Sequence, residues 1–266
     1  MIMKKLIFIS LAVMLLLAVS CKKNNDNKDK APKDTTPEAI DLGIIVNGKN
    51  IKWASCNLGA SKPYEYGDYY AWGEIGAKSE FTWETYKYAT GELQMTKYHP
   101  GSGYALYECW DYTTKPDGPD GTTDLFPDDD VAHVKLKGNW RMPTLADFEA
   151  LIALKDEAQK ENSDYIWEPW YLVKDESGNV VKDAKGNEIH GLRITRKSTN
   201  AVLFLPAAGV FDGSETAQEG AMGFYWSSTL NVNYPDCAND LFFKEGVLQC
   251  DKLARFRGIQ VRPVTE

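Results

Sequence analysis

Histidine is scarce in this chain, and what there is does not cluster. His99, His133 and His190 are the only three, each in a separate context and without a second His or Cys at ligand spacing, so neither a zinc centre nor a histidine-based nucleophilic triad is nominated. Positive charge is also short. With 30 Lys and Arg against 38 Asp and Glu the net charge is −8, and no basic stripe is available to neutralise phosphates, which excludes a nucleic-acid binder. The ordered acidic loop of the calcium-binding hands is missing. Glycoside hydrolysis needs two positioned carboxylates, and the sequence singles out no pair among its 38 acidic residues.

The apolar run behind Lys4 and Lys5 is about fifteen residues long, short for a membrane-spanning helix. Two lysines, an apolar run and then small residues before a cysteine give the order of a secretory signal, so residues 1–20 are expected to be a leader. Ala18-Val19-Ser20-Cys21 resembles the bacterial lipobox, and that resemblance makes Cys21 the expected lipidation site, which would anchor the chain to a bilayer without spanning it. The polar, lysine-rich and proline-containing stretch that follows, residues 21–39, cannot bury surface and reads as a disordered tether. The membrane is therefore expected as a partner through the lipid alone, with the protein in the cell envelope.

The remaining chain, residues 40–266, reads as one domain. Hydrophobic content of 43% with 8 Trp and 14 Tyr supplies a core and leaves aromatic rings over for turns or a binding face. Leu42, Ile44 and Val46 alternate, Asn47-Gly48 is a hairpin signal, and Ile51 and Trp53 resume the alternation on the return strand. A glycine-punctuated aromatic segment, Tyr64 to Glu74, should be a loop whose rings pack onto the sheet, and the sequence from there to Asp130 has no clear period. Pro143 and then Thr144, with Asp147 three residues on, form a capping box for a helix over about 144–155. Leu145, Phe148, Leu151, Ile152 and Leu154 give it one apolar face, with Asp147 and Glu149 expected to point outward. Leu192 and Ile194 predict a strand, Ala201 to Gly209 a buried central strand ended by Pro206, and Lys244-Glu245-Gly246 the turn of a second hairpin. Gly258 to Val264 should close the sheet. One helix laid on an antiparallel sheet is the α+β architecture these elements imply.

The order of the segments DLGIIVNGKNIKWASCNLGAS, YGDYYAWGE, PDDDVAHVKLKGNWRMPT, FLPAAGVFDG, GFYWSS and RGIQVRPV resembles Bacteroidetes lipoproteins and surface proteins related to the Fibrobacter succinogenes major paralogous domain. That family is similar in fold to C-type lectins and to the formylglycine-generating sulfatase-modifying enzymes. The resemblance implies a C-type-lectin-like α+β domain, a twisted antiparallel sheet in which the termini meet, with long irregular loops presenting the ligand surface. The chain departs from the family around residues 168–191, where an exposed, peripheral hairpin is expected to be inserted.

The implied function is a non-catalytic binding or adhesion module on the outer membrane, taking a glycan or protein ligand. A subunit of a surface or fimbrial assembly is the alternative, and a formylglycine-generating-type copper enzyme a further one. By the resemblance, the exposed face between Trp226-Ser227-Ser228 and the last strand carries the ligand, through Tyr234, Asp236, Asn239, Asp240, Lys252, Arg255 and Arg257. The Glu-Pro-Asn and Trp-Asn-Asp tripeptides of calcium-dependent lectin sites are absent, and no cofactor is expected. Asp128, Asp129 and Asp130 are the place to look for calcium, although three adjacent aspartates cannot all aim at one ion in regular structure. Cys56, Cys109, Cys237 and Cys250 allow three pairings in an oxidising compartment. Cys237 and Cys250 flank the second hairpin and are candidates for a cross-strand disulfide.

Overall fold

The computed structural model describes residues 36–91, 95–98 and 122–266. The leader, Cys21, nearly all of the tether, His99 and Cys109 lie outside the described residues. Strands β1 (Ala39–Val46) and β2 (Lys49–Ala54) form the first hairpin. Asn47 and Gly48 stand at φ 49° and 78°, the left-handed pair that a two-residue hairpin turn requires. Leu42, Ile44, Ile51 and Trp53 are buried, as their alternation predicts. The last strand, β11 (Val264–Thr265), pairs with β2, so the first and last strands share one sheet.

Two α-helices stand among the described residues. A short one, α1 (Val131–Leu136), escaped the sequence reading; Asp130 caps it by accepting from the backbone of Ala132 and His133. The predicted helix is α2 (Leu145–Ala158), with both halves of the Thr144–Asp147 capping box formed. Its face of Phe148, Leu151 and Leu154 is buried against Trp53, Leu192 and Leu241 in one core, worth roughly 2 kcal/mol for each side chain removed from water. Asp147 corrects the expectation that it points outward. It is fully buried, because Arg141 Nη1 donates to its carboxylate at 2.6 Å and the Thr144 backbone N–H at 2.7 Å.

Two further antiparallel sheets flank α2. One has β4 (His190–Arg196) between β3 (Tyr165–Leu172) and β5 (Ala201–Pro206); the other has β9 (Cys237–Lys244) between β8 (Gly223–Leu230) and β10 (Val247–Ala254). A small ribbon, β6 (Val210–Asp212) with β7 (Glu215–Ala217), completes the set. Strand β5 ends at Pro206 as predicted, but it lies at an edge of its sheet and is not central. Its apolar run reflects burial on both faces: Leu203 and Leu205 join the α2 core, and Phe204 packs with Val173 and Ile189. The segment Gly258 to Val264 also differs from expectation. It is a buried spine that accepts backbone hydrogen bonds from Ala54, Leu58 and Trp226 through Pro263, Val261 and Gln260, and only its end pairs as a strand.

The inserted segment carries two turns, at Ser177-Gly178-Asn179 and Lys185-Gly186-Asn187, each closed by a single bridge. Residues 173–180 and 181–188 are tandem copies, VKDESGNV and VKDAKGNE. In the first, Asp175 Oδ1 accepts from the backbone N–H of Ser177 and Asn179; in the second, Asp183 does the same with Lys185 and Asn187. Val181, Ile189 and Val173 donate in turn to Val173, Val181 and Ile189, closing a three-membered backbone ring that satisfies the base of both turns.

Candidate functional site

The face nominated by sequence is divided by burial. Arg255 is fully buried and is internal structure. Its Nε donates to Tyr86 Oη at 3.0 Å, Nη1 to the Pro235 carbonyl at 3.1 Å and Nη2 to the Lys97 carbonyl at 2.8 Å. The guanidinium also lies over the Trp72 ring, 4.8 Å from its centroid. Asn239 is buried too, donating to the Leu230 carbonyl and accepting from Asn231. Asp240 is 1% exposed, directly opposite Trp226 on β8 and Asp251 on β10. Its Oδ1 has no hydrogen-bond partner among the described residues. Burial, and then the Asp251 charge, pushes its carboxyl well above the ordinary value. These three residues therefore do not present themselves to a ligand, a correction with one cause: the β8–β9–β10 sheet and the aromatic loops close over them.

The others remain at the surface. Lys252 is exposed, with its ammonium 4.5 Å from the centroid of the half-buried Tyr234 ring. Half-buried Arg257 pairs with Asp212 at 2.9 Å. Asp236 accepts from Cys237 Sγ at 3.7 Å. This remnant is a patch of groups already paired with one another or with neighbours.

The three aspartates nominated for calcium diverge. Asp128 is exposed. Asp129 accepts from Lys97 Nζ at 2.5 Å, from Tyr98 Oη at 2.5 Å and from Tyr88 Oη. Burial acts to raise its carboxyl, but these bonds outweigh it and hold the group below its ordinary value. Asp130 faces the other way, accepting from Ala132, His133 and Met142 backbone N–H groups. Both inner carboxylates are thus committed to protein donors.

The proposed disulfide is also corrected. In the β9–β10 ladder Cys237 stands opposite Ala254 and Cys250 opposite Leu241, an offset of four positions (254 − 250). At about 3.3 Å per residue this is roughly 13 Å along the strands, beyond the ~7 Å reach of a bridge. Both are free thiols, each pushed up to about 12 by burial first and nearby carboxylates second.

The concavity lies elsewhere, between the C-terminal end of α2, strand β3 and the β9–β10 turn. It encloses about 390 Å³ and is lined by Lys155 and Gln159 of α2, by Tyr165, Trp167 and Pro169 of β3, and by Leu248 beyond the turn. A shallower extension continues along β3 past Trp170 and Tyr171 to Lys174. Tyr165 is held by its hydroxyl, which donates to the Leu42 carbonyl at 2.8 Å. Trp167 is anchored opposite Ile194 of β4, and Trp170 stacks on His190 at 5.1 Å with an interplanar angle of 6°. Among the described residues the outer edge of β3 has no partner strand, and its register slips between Glu168 and Tyr171, around Pro169. A proline and a bulge are the devices that keep an open edge from pairing with other strands; the rings of Tyr165, Trp167 and Trp170 are half-buried, packed on the α2 core on one side. Sequence reading treated this region as a peripheral insertion; the signal available was four aromatics within residues 165–171, more than an exposed edge strand needs. Searches against family profiles, curated proteins and solved structures found nothing that matches the chain.

Proposed function

We propose that the chain is a lipid-anchored cell-envelope protein, a relative of the Fibrobacter major paralogous domain with a C-type-lectin-like fold, that binds a glycan or protein ligand without catalysis. Support for the fold is the sharing of one sheet by the first and last strands, the packing of α2 beside it and the irregular backbone of residues 55–91, which follow β2. One observation carries the function. Three of the polar groups nominated for ligand contact, Asn239, Asp240 and Arg255, are buried inside the protein, while half-buried aromatic rings of β3 line a cavity of about 390 Å³. Concave sites with aromatic walls and a few polar groups are where small ligands bind, and ring faces give large contact area at low entropic cost. The binding face is therefore assigned to β3 and α2.

The test is a screen of the purified chain against a glycan array and extracellular-matrix proteins, with calcium and with chelator. A specific hit abolished by Trp167→Ala and retained by Lys252→Ala is the expected result. A hit with the opposite pattern would return the site to the β9–β10 face.

A second reading, a subunit of a surface assembly, is favoured by β10. That strand pairs with β9 over eight unbroken positions, is nowhere fully buried, and has no strand on its far edge among the described residues. A long regular edge is a template for strand addition. The copper-enzyme alternative needs a close cysteine pair, which the offset of Cys237 and Cys250 does not support.

A further inference from the structure

The groove on β3 has a one-sided charge. Among its lining residues Lys155 is the only charged side chain, and its ammonium has no ion-pair partner among the described residues. The extension ends at Lys174, likewise unpaired, and the one carboxylate on that path, Glu168, is matched by Arg193 at 3.2 Å. The groove thus has an unmatched cation at each end and no unmatched carboxylate, in a protein whose net charge is −8. Between the cations lies the row Tyr165, Trp167, Trp170, along a strand of eight residues, roughly 26 Å at about 3.3 Å per residue.

Cation donors at the ends and ring faces between them complement a ligand with acceptors on its rim and flat apolar patches on its rings. Neutral sugar recognition draws on carboxylate acceptors for hydroxyl groups, and the groove offers none that is free. An ammonium and an amide instead suit an acceptor-rich group. Resting on the binding-module reading above, we infer that this groove takes a segment of an anionic polysaccharide. Its pyranose rings lie against Tyr165 and Trp167, with a carboxylate or sulfate ester at the Lys155 ammonium.

The experiment is calorimetric titration of the purified chain with three oligosaccharides: oligogalacturonate, a dextran sulfate oligosaccharide and unsulfated dextran of the same length. One or both anionic ligands are expected to bind at least about tenfold more tightly than neutral dextran, the factor of one charge-assisted hydrogen bond; which of them does so separates the carboxylate from the sulfate source. Lys155→Glu, in the exposed last turn of α2, should erase that preference with only a small fall in melting temperature, since it reverses one charge at the helix C-terminus. Trp167→Ala should weaken binding by about thirtyfold or more, as for a buried aromatic anchor. Equal affinity for neutral dextran, or a preference that survives Lys155→Glu, would overturn the inference. If neither anionic ligand binds, the inference also fails, and a hit of another class in the array screen that is lost with Trp167→Ala would leave the binding-module reading standing.

Discussion

Arg255 donates from Nε to the Tyr86 hydroxyl at 3.0 Å, across 169 positions of sequence, with both side chains buried. This pair ties the aromatic loop before α1 to the end of β10, and Trp72 covers the guanidinium from one side. Replacing Arg255 by methionine leaves the Lys97 and Pro235 carbonyls without their donor. Since each stranded buried group costs about 1–3 kcal/mol, a loss of about 3 kcal/mol or more is expected in urea denaturation. Lysine should not restore it, because one ammonium cannot reproduce the planar fork.

Asp240 predicts a pH dependence. Burial raises its folded-state carboxyl above the ordinary value, so the folded protein holds this proton more tightly than the unfolded chain does. The contribution is complete below the ordinary carboxylate range and is lost as pH rises through the raised value. Asp240→Asn has no proton to release. Its melting temperature relative to the parent should therefore be lowest at acid pH, climb as pH rises from the ordinary carboxylate range through the raised value, and level off above it; a difference that stays flat across the series would contradict the assignment.

At the start of α2, Thr144→Ala removes one half of the capping box and should cost about 1 kcal/mol. Asp147→Ala should cost more, about 2–3 kcal/mol, because the carboxylate also takes the Arg141 guanidinium and is fully buried. Paired chemical denaturation curves would show the order; equal losses would mean that the Arg141 contact contributes nothing.

The register of β9 and β10 makes a covalent prediction. Peptide mapping of the non-reduced protein should return Cys237 and Cys250 in separate peptides, both alkylated once the chain is unfolded. A linked pair would require the ladder to be shifted by about four positions.

Local chemistry was enough for the sequence to determine the Asn47-Gly48 hairpin, the Thr144 cap with the buried stripe of α2, the strand carrying Leu192 and Ile194, and the stop at Pro206. Each rests on a few neighbouring residues whose backbone preferences or periodicity do not depend on distant chain. Burial of polar groups was illegible for the opposite reason. Asp147, Asn239, Asp240 and Arg255 have the composition of a solvated surface; Arg255 becomes interior through partners as far away as Tyr86 and Lys97, and even Asp147, whose polar partners Arg141 and Thr144 are local, is buried only by what packs over it. The aromatic groove has the same origin. Residues within 155–174 and 246–248 provide its walls, and nothing local to any of them says that α2, β3 and the β9–β10 turn meet around one cavity. The sequence by itself determined where elements start, stop and turn. Tertiary structure alone decided which side chains are withdrawn from solvent and which rings are left facing it, because burial is a property of everything that packs around a residue.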